Sequence, residues 1–456
     1  MANNPIANMF KVKELRSRLF FTLIILAVFR LGTVLTVPGI DAHVLVSYFE
    51  QIAKMSDRGA ESAIVSYMDF FAGGAFEKFS VFMLGVMPYI STQIILQLAL
   101  VIFPALKRMA QEDGGQRRVQ KWTRVGTIAV CLIQSLAITT YADSINNATM
   151  TMEGIMQPVK ILNGMSFNLL AILTVTTGSM ITIWLGDQIT SRGIGNGISM
   201  LIFAGIVARL PSAVWELITM VRNDQINVVF VIVAIVLFLA IIGFVVYEQS
   251  GERKIPVHYA KRVVGRKMYG GQSTYIPFKI NPSGVIPIIF ASAFLTFPLQ
   301  ISNSLGGSGN HRFLNSIAQA LNPMGFWYNF IEVLLIVFFA YFYTQVTLNP
   351  TEIAKNIREN GGSIPGIRTD KTESYLQKVL NRLILPGSLY LAVIALLPTA
   401  IQIIFKFPAS ISMLMGGTSL LILVGVDIDT MAQVEALLKM HHHDGLTKKG
   451  LKSRGL

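Results

Sequence analysis

The sequence predicts an all-α integral membrane protein, on three observations. Of its 456 residues, 52% are hydrophobic and 14% charged, with a mean hydropathy of +0.56; a soluble globular protein carries about 25% charged residues. The apolar residues are bunched rather than interleaved with polar ones, and runs such as 228–246 reach the roughly 20 residues that a helix needs to span a bilayer. The string GVMPYI at 85–90 is echoed by GVIPII at 284–289, each inside a hydrophobic segment. Gly and Pro both weaken a helix, and Pro removes a backbone donor. In lipid no water satisfies the freed carbonyl. Paired interruptions at matching places therefore point to a duplicated design with broken helices at its centre.

Ten spans follow in order from the apolar runs: 19–38, 78–103, 119–139, 166–186, 198–220, 226–247, 283–302, 328–347, 383–405 and 409–427. The first has no Ala-x-Ala-like cleavage site and is expected to stay as a span, with no removable signal peptide. Between the first and second lies a shorter apolar piece, 62–72, ended by Gly73 and Gly74. It is too short to cross and is expected as a re-entrant or buried half-helix. The loop 249–282, after the sixth span, alternates Ile255, Val257 and Tyr259, then runs through Gly270 and Gly271 to Thr274 and Ile276. That pattern reads as a cation-rich β-hairpin. The loop 348–382, after the eighth span, opens with NPTEIAKNIRENGG, a short helix capped by Thr351 and ended at Gly361-Gly362. The stretch 428–456 is expected as a solvated tail.

Lys and Arg set the orientation. Twenty-nine fall on the side that holds both termini and the two long loops, 8 on the other side, and Arg30 inside the first span. The excess places both termini in the cytoplasm, which an even number of spans requires. Topology thus accounts for the net charge of +13 before nucleic acid is invoked.

No residues form a catalytic pattern. The chain has no Walker A string, so it does not hydrolyse ATP by that route. GIGNG at 193–197 resembles a dinucleotide turn but has no βαβ unit around it, and reads as a tight entry into the fifth span. His441, His442 and His443 are consecutive, so their side chains do not converge on a metal. Cys131 is the one cysteine, which excludes an intrachain disulfide and a Cys-based metal site. Neither a metal nor an organic cofactor is expected. Arg30 and Glu332 are the charges nearest the span interiors and read as snorkelling or paired groups near helix ends. That scarcity argues against a substrate-coupled secondary transporter, which also uses inverted repeats and broken helices. The placement of all six histidines outside the spans argues against an intramembrane hydrolase. Val86, Ile90 and Ile289, beside the interrupted motifs, are either ordinary core or a hydrophobic constriction that blocks ions by dewetting. Gln93, Gln97 and Asn281 are either plain helix glue or the hydrogen bonds of an openable seam.

Long strings carry a family resemblance: FRLGTVLTVPGID (29–41), GGAFEKFSVFMLGVMPYIS (73–91), WLGDQITSRGIGNGISMLIFAGIV (184–207), YAKRVVGRKMYGGQST (259–274), GVIPIIFAS (284–292), NPTEIAKNIRENGGSIPGIR (349–368) and GGTSLLILVGV (416–426). They closely resemble the bacterial SecY family from the first span to the last. The resemblance implies a non-enzymatic protein-conducting channel subunit that passes unfolded secretory polypeptides across the plasma (inner) membrane and releases membrane spans sideways into lipid. It implies two five-helix halves, 1–225 and 226–427, in inverted pseudo-symmetry around an hourglass pore. By the same resemblance, the pore ring falls on Val86, Ile90, Ile202, Ile289 and Ile422, with small Ala293 near a sixth place. A plug falls at about 61–74, with Met68, Asp69, Phe70 and Phe71 beneath the ring and Gly73 and Gly74 at its end. A lateral gate for signal sequences is carried by the second and seventh spans, with Pro88 and Pro287 at bendable breaks and Gln93, Gln97 and Asn281 along the closed seam. Arg253, Lys254, Arg266, Lys267 and Arg368 become docking residues for the motor ATPase SecA or for ribosomal RNA phosphates. SecE and SecG are implied as small partner subunits.

Overall fold

The computed structural model describes residues 12–54, 73–151, 157–162, 164–224, 226–259, 262–264, 267–269, 273–306, 321, 325–405, 411–412 and 416–452. A helix overlies each expected span. In chain order they are α1 (Lys13–Gly32), α2 (Ala42–Lys54), α3 (Met87–Ile102), α4 (Pro104–Gln111), α5 (Gly115–Thr151), α6 (Met165–Arg192), α7 (Gly197–Arg222), α8 (Val228–Gln249), α9 (Ile286–Gly306), α10 (Phe326–Thr347), α11 (Pro350–Glu359), α12 (Thr372–Phe405) and α13 (Gly417–Lys452), with α2, α4 and α11 lying between spans. Six stretches among the described residues are long and apolar enough to cross a bilayer, and α3 with α4 makes a seventh only as a pair bent by 109°. Pro104 stands at the bend, where it opens α4 and cannot continue α3. The expected tail from residue 428 starts as a continuation of the last span's helix, since α13 runs unbroken through it.

The two interrupted motifs are helix starts, not mid-helix breaks. Gly85 holds φ +53° and Gly284 φ +60°, a left-handed turn that glycine adopts without a Cβ penalty. Two residues on, α3 starts at Met87 and α9 at Ile286, so Pro88 and Pro287 each take the second helical position. There the missing N–H is one of the helix's orphan donors anyway. The second span therefore begins nine residues later than its hydropathy suggests. Residues 73–86 form successive turns instead. They are held to the end of the first span by Val37 N–H to Phe79 O at 2.9 Å and Val81 N–H to Leu35 O at 2.8 Å. This segment crosses α6 at Gly178, where an added Cβ would stand 2.0 Å from Val81 O.

The long helices pack in a closed circle: α3, α5, α6, α7, α13, α12, α10, α9, and back to α3. Segments before residue 225 meet segments after it at two places in the circle: α7 on α13, and α9 on both α3 and α5. α1 packs on α6 and α7, and α8 packs on α13. The largest apolar cluster is contributed by α1, α3, α6, α7, α8, α9, α10, α12 and α13.

The two long loops fold together. β1 (Glu252–Tyr259) pairs antiparallel with β4 (Ser273–Lys279), and a shorter ladder joins β2 (Arg262–Val264) to β3 (Lys267–Tyr269). β5 (Gly362–Ser363), from the other loop, adds to the far edge of β1, giving the order β4-β1-β5. Ile255 and Val257 alternate onto a core with Ala354 and Ile357 of α11 and Leu376, Val379 and Leu380 of α12. Asn349, rather than Thr351, caps α11, its Oδ1 accepting from Thr351 N at 3.2 Å. The hydroxyl of Thr351 donates instead to Glu373 at 2.8 Å.

Gly178→Ala would force its Cβ against the Val81 backbone, so it should destabilise the fold by about 1–3 kcal/mol. A fall in the thermal midpoint of the purified protein in detergent would measure this; an unchanged midpoint would mean that 73–86 is not packed as described.

Candidate functional site

The site is assembled by the starts of α3 and α9. The starts of both helices contribute to the largest apolar cluster. Val86 and Ile90 of the first motif, Ile202 of α7 and Ile422 of α13 are all buried in the central cluster. Ile289, half-buried, packs against it, and Ala293 is buried within it. The five residues assigned to a ring thus come together from four helices that are widely separated in sequence. Their surroundings include Ile25 and Phe29 of α1 and Leu421 and Val424 of α13. An apolar constriction of this kind excludes ions because water leaves it. Among the described residues, no group of His, Cys, Asp and Glu could hold a metal.

Gly73 and Gly74 hold φ +66° and +87°. Gly73 lies so close to α7 that a Cβ there would meet Gly205 Cα at 2.7 Å. Arg30, which the sequence placed within the first span, sits in the last turn of α1, where a cation complements the helix dipole. Its Nη1 donates to Gly73 O at 2.7 Å and to Thr33 Oγ1 at 3.3 Å. Arg30 is therefore an anchor between α1 and the 73–74 turn, not a snorkelling group. Only the lone cation inside an apolar run marked it in the sequence. Met68, Asp69, Phe70 and Phe71 lie outside the described residues. Glu332 does not reach for an interface: it is buried in the second turn of α10.

The expected seam is only partly as read. α3 and α9 do pack on each other. Gln93 is half-buried, and Gln97 Oε1 is buried with no hydrogen-bond partner among the described residues. Asn281, however, spends its amide within its own turn: Nδ2 donates to Gly284 O at 3.1 Å and Oδ1 accepts from Ser283 Oγ at 2.8 Å. It shapes the turn that precedes α9 and packs near Gly387 of α12 instead of bonding across to α3. Pro88 and Pro287 shape helix starts, as described above.

The basic residues divide similarly. Arg253 and Lys254 are exposed on β1, with Lys254 Nζ 4.8 Å from the centre of the Tyr275 ring, a cation–π contact. Arg368 is exposed in the 364–371 loop, which closes with Lys371 N–H on Arg368 O at 2.8 Å. Lys267 stands on β3 opposite Val264, and Arg266 lies outside the described residues. Because β5 pairs with β1, the two loops are joined through one sheet, which carries Arg253 and Lys254, while Lys267 lies on the separate β2–β3 ladder. No pattern in the sequence signals the β5 pairing, since β5 is two residues long.

Comparison with known proteins gives a consistent result. The SecY family model matches residues 80–431. The protein translocase subunit SecY of Borreliella burgdorferi is 42% identical over 434 residues, covering 95% of this chain and 94% of the relative. That of Escherichia coli K12 is 41% identical over 438 residues, covering 96% and 94%. Among solved structures, a protein-conducting channel superposes with a TM-score of 0.64 at 19% identity, over 95% of this chain and 97% of the other. Sec61 in a canine ribosome–channel complex from the endoplasmic reticulum superposes at 0.60 with 18% identity, over 95% and 97%.

Arg30→Ala should cost about 1.5–3 kcal/mol, the usual worth of a hydrogen bond to a charged group, and Arg30→Lys should recover part of it. Chemical denaturation in detergent would measure both; equal stability of all three proteins would show that the contact to Gly73 O contributes nothing.

Proposed function

The chain belongs to the SecY family, and we propose on that footing that it is the channel subunit of a protein translocase, a multi-pass membrane protein that conducts polypeptide and carries out no bond chemistry. It passes unfolded secretory chains across the plasma (inner) membrane, with both termini in the cytoplasm, and releases transmembrane segments sideways into lipid. The observation that supports this best is that Val86, Ile90, Ile202 and Ile422 belong to one apolar cluster, with Ile289 packed against it, in a closed circle of helices. In this reading they form a gasket. Branched apolar side chains make no specific bond to a passing chain, so any sequence slides through, while ions lose their hydration and stay out.

The α3–α9 contact is the exit to lipid. An apolar signal helix wedged between them supplies contact area that the closed state lacks, and this differential binding shifts the equilibrium to open. Gln97, half-buried with its Oε1 unpartnered among the described residues, keeps that seam from being a fully satisfied interface. The halves 1–225 and 226–427 surround the pore. Residues 68–71 with the Gly73-Gly74 turn fill the idle pore. The sheet β4-β1-β5 with the Arg368 loop is the cytoplasmic platform. Arg253, Lys254, Arg266, Lys267 and Arg368 receive SecA or ribosomal RNA phosphates, and SecE and SecG complete the complex.

The test is contact with a moving chain. In a Cys131→Ser background, single cysteines replace Ile90, Ile202, Ile289 or Ile422, and a stalled secretory chain with one cysteine is offered under oxidising conditions. Disulfides should form at all four positions and vanish when the signal sequence is deleted. Crosslinking only at lipid-exposed controls, such as Leu239, would make the cluster ordinary core. In parallel, Arg368→Glu should weaken motor or ribosome binding about tenfold or more at low salt, and less at high salt.

A further inference from the structure

The two halves of the helix circle meet where α9 lies on α3 and α5 and where α7 lies on α13, and the two joints are built differently. No side-chain hydrogen bond links α3 to α9 among the described residues. At the other joint, the 193–197 turn that opens α7 is fastened to α13. Gly195 holds φ +86° and donates its N–H to Gln433 Oε1 at 2.9 Å. A Cβ on Gly195 would meet Thr430 Oγ1 at 3.1 Å, so α13 lies directly against that backbone. The Thr430 hydroxyl stands 3.7 Å from Met200 Sδ. Asn196 Oδ1 caps α7 through Ile198 N and Ser199 N. One residue earlier, Ile194 donates its N–H to Thr22 Oγ1 of α1 at 3.1 Å, and its side chain is buried with Leu15 of α1 and Val434 of α13.

The joint bears on the ring. Ile202 follows Gly195 by seven residues, and Ile422 precedes Gln433 by eleven, about three turns or 16 Å along α13. A contact at this distance on two stiff helices sets how their apolar side chains meet. We infer that the α7–α13 joint is a latch that stays shut while the channel conducts, and that Gln433 is a positioning residue that holds Ile422 of α13 against Ile202 of α7. The inference rests on the channel reading above. It adds that the bodies that part are not the two sequence halves throughout: α13, from the second half, remains with α1 and α7 of the first.

The experiment uses the full-length protein in membranes. In the Cys131→Ser background, Met200→Cys with Thr430→Cys is bridged by a short bifunctional thiol reagent, and Met87→Cys with Ile286→Cys is bridged in a separate protein across α3 and α9. Transport should continue through the first bridged channel and stop in the second. A block by the Met200–Thr430 bridge, relieved by reductant, would overturn the latch and leave the α3–α9 exit standing. Tolerance of both bridges would support the latch and remove the exit instead. Gln433→Ala should raise the idle ion current in planar bilayers roughly two- to tenfold, the shift expected from one lost hydrogen bond. Gln433→Glu, which keeps an acceptor for Gly195 N–H, should bring the current back. An unchanged current in Gln433→Ala, or a rise that Gln433→Glu does not relieve, would overturn the role given to Gln433.

Discussion

The central arrangement depends on backbone satisfaction in an apolar medium. A helix that breaks in mid-bilayer strands carbonyl groups that no water can reach. This protein avoids the problem by starting two helices, α3 and α9, at left-handed glycines with proline in the second helical position. The groups left over before α3 are not stranded either: residues 79–81 bond back to 35–37. The starts of the two helices supply Val86, Ile90 and Ile289 to one apolar cluster, and the circle closes where α9 meets α3 and α5.

A second constraint acts where the packing is tightest. Glycines at 73, 178, 197 and 205 bring backbones within distances that no side chain would permit. Without a hydrophobic drive between helices in lipid, such close approach is how helices gain contact. The glycines at 178 and 197 thus bring the 73–86 segment and the start of α7 directly onto the backbone of α6.

Much of this was legible in the sequence. Hydropathy located ten helices, since a long apolar run admits few other readings, and the repeat correctly marked the two helices at the centre. Alternation at Ile255, Val257 and Tyr259 gave the hairpin. What was not legible depended on partners distant in the chain. Nothing local distinguishes Pro88 as a helix start from Pro88 as a kink; its turn is settled by contacts with 35–37. Asn281 was read as a seam residue because an amide near a gate suggests one, whereas its nearest acceptor lies three residues on, at Gly284. Arg30 was conspicuous, but its acceptor is a backbone carbonyl at Gly73, which carries no sequence signal. GIGNG was read as a helix entry, and Asn196 does cap α7; the hold of Gln433 on Gly195 needed the fold.

The sheet that joins the two long loops has a consequence for how the protein is made. β1 cannot complete its ladder until Gly362 and Ser363 have been synthesised, two spans after Tyr259. Such a long-range pairing forms late, because loop closure must come before the contact can reward it. A growing chain that has inserted only six spans thus shows an unfinished platform. Completion of the sheet therefore waits on the eighth span, and only α12 and α13 remain to be made once β5 is in place.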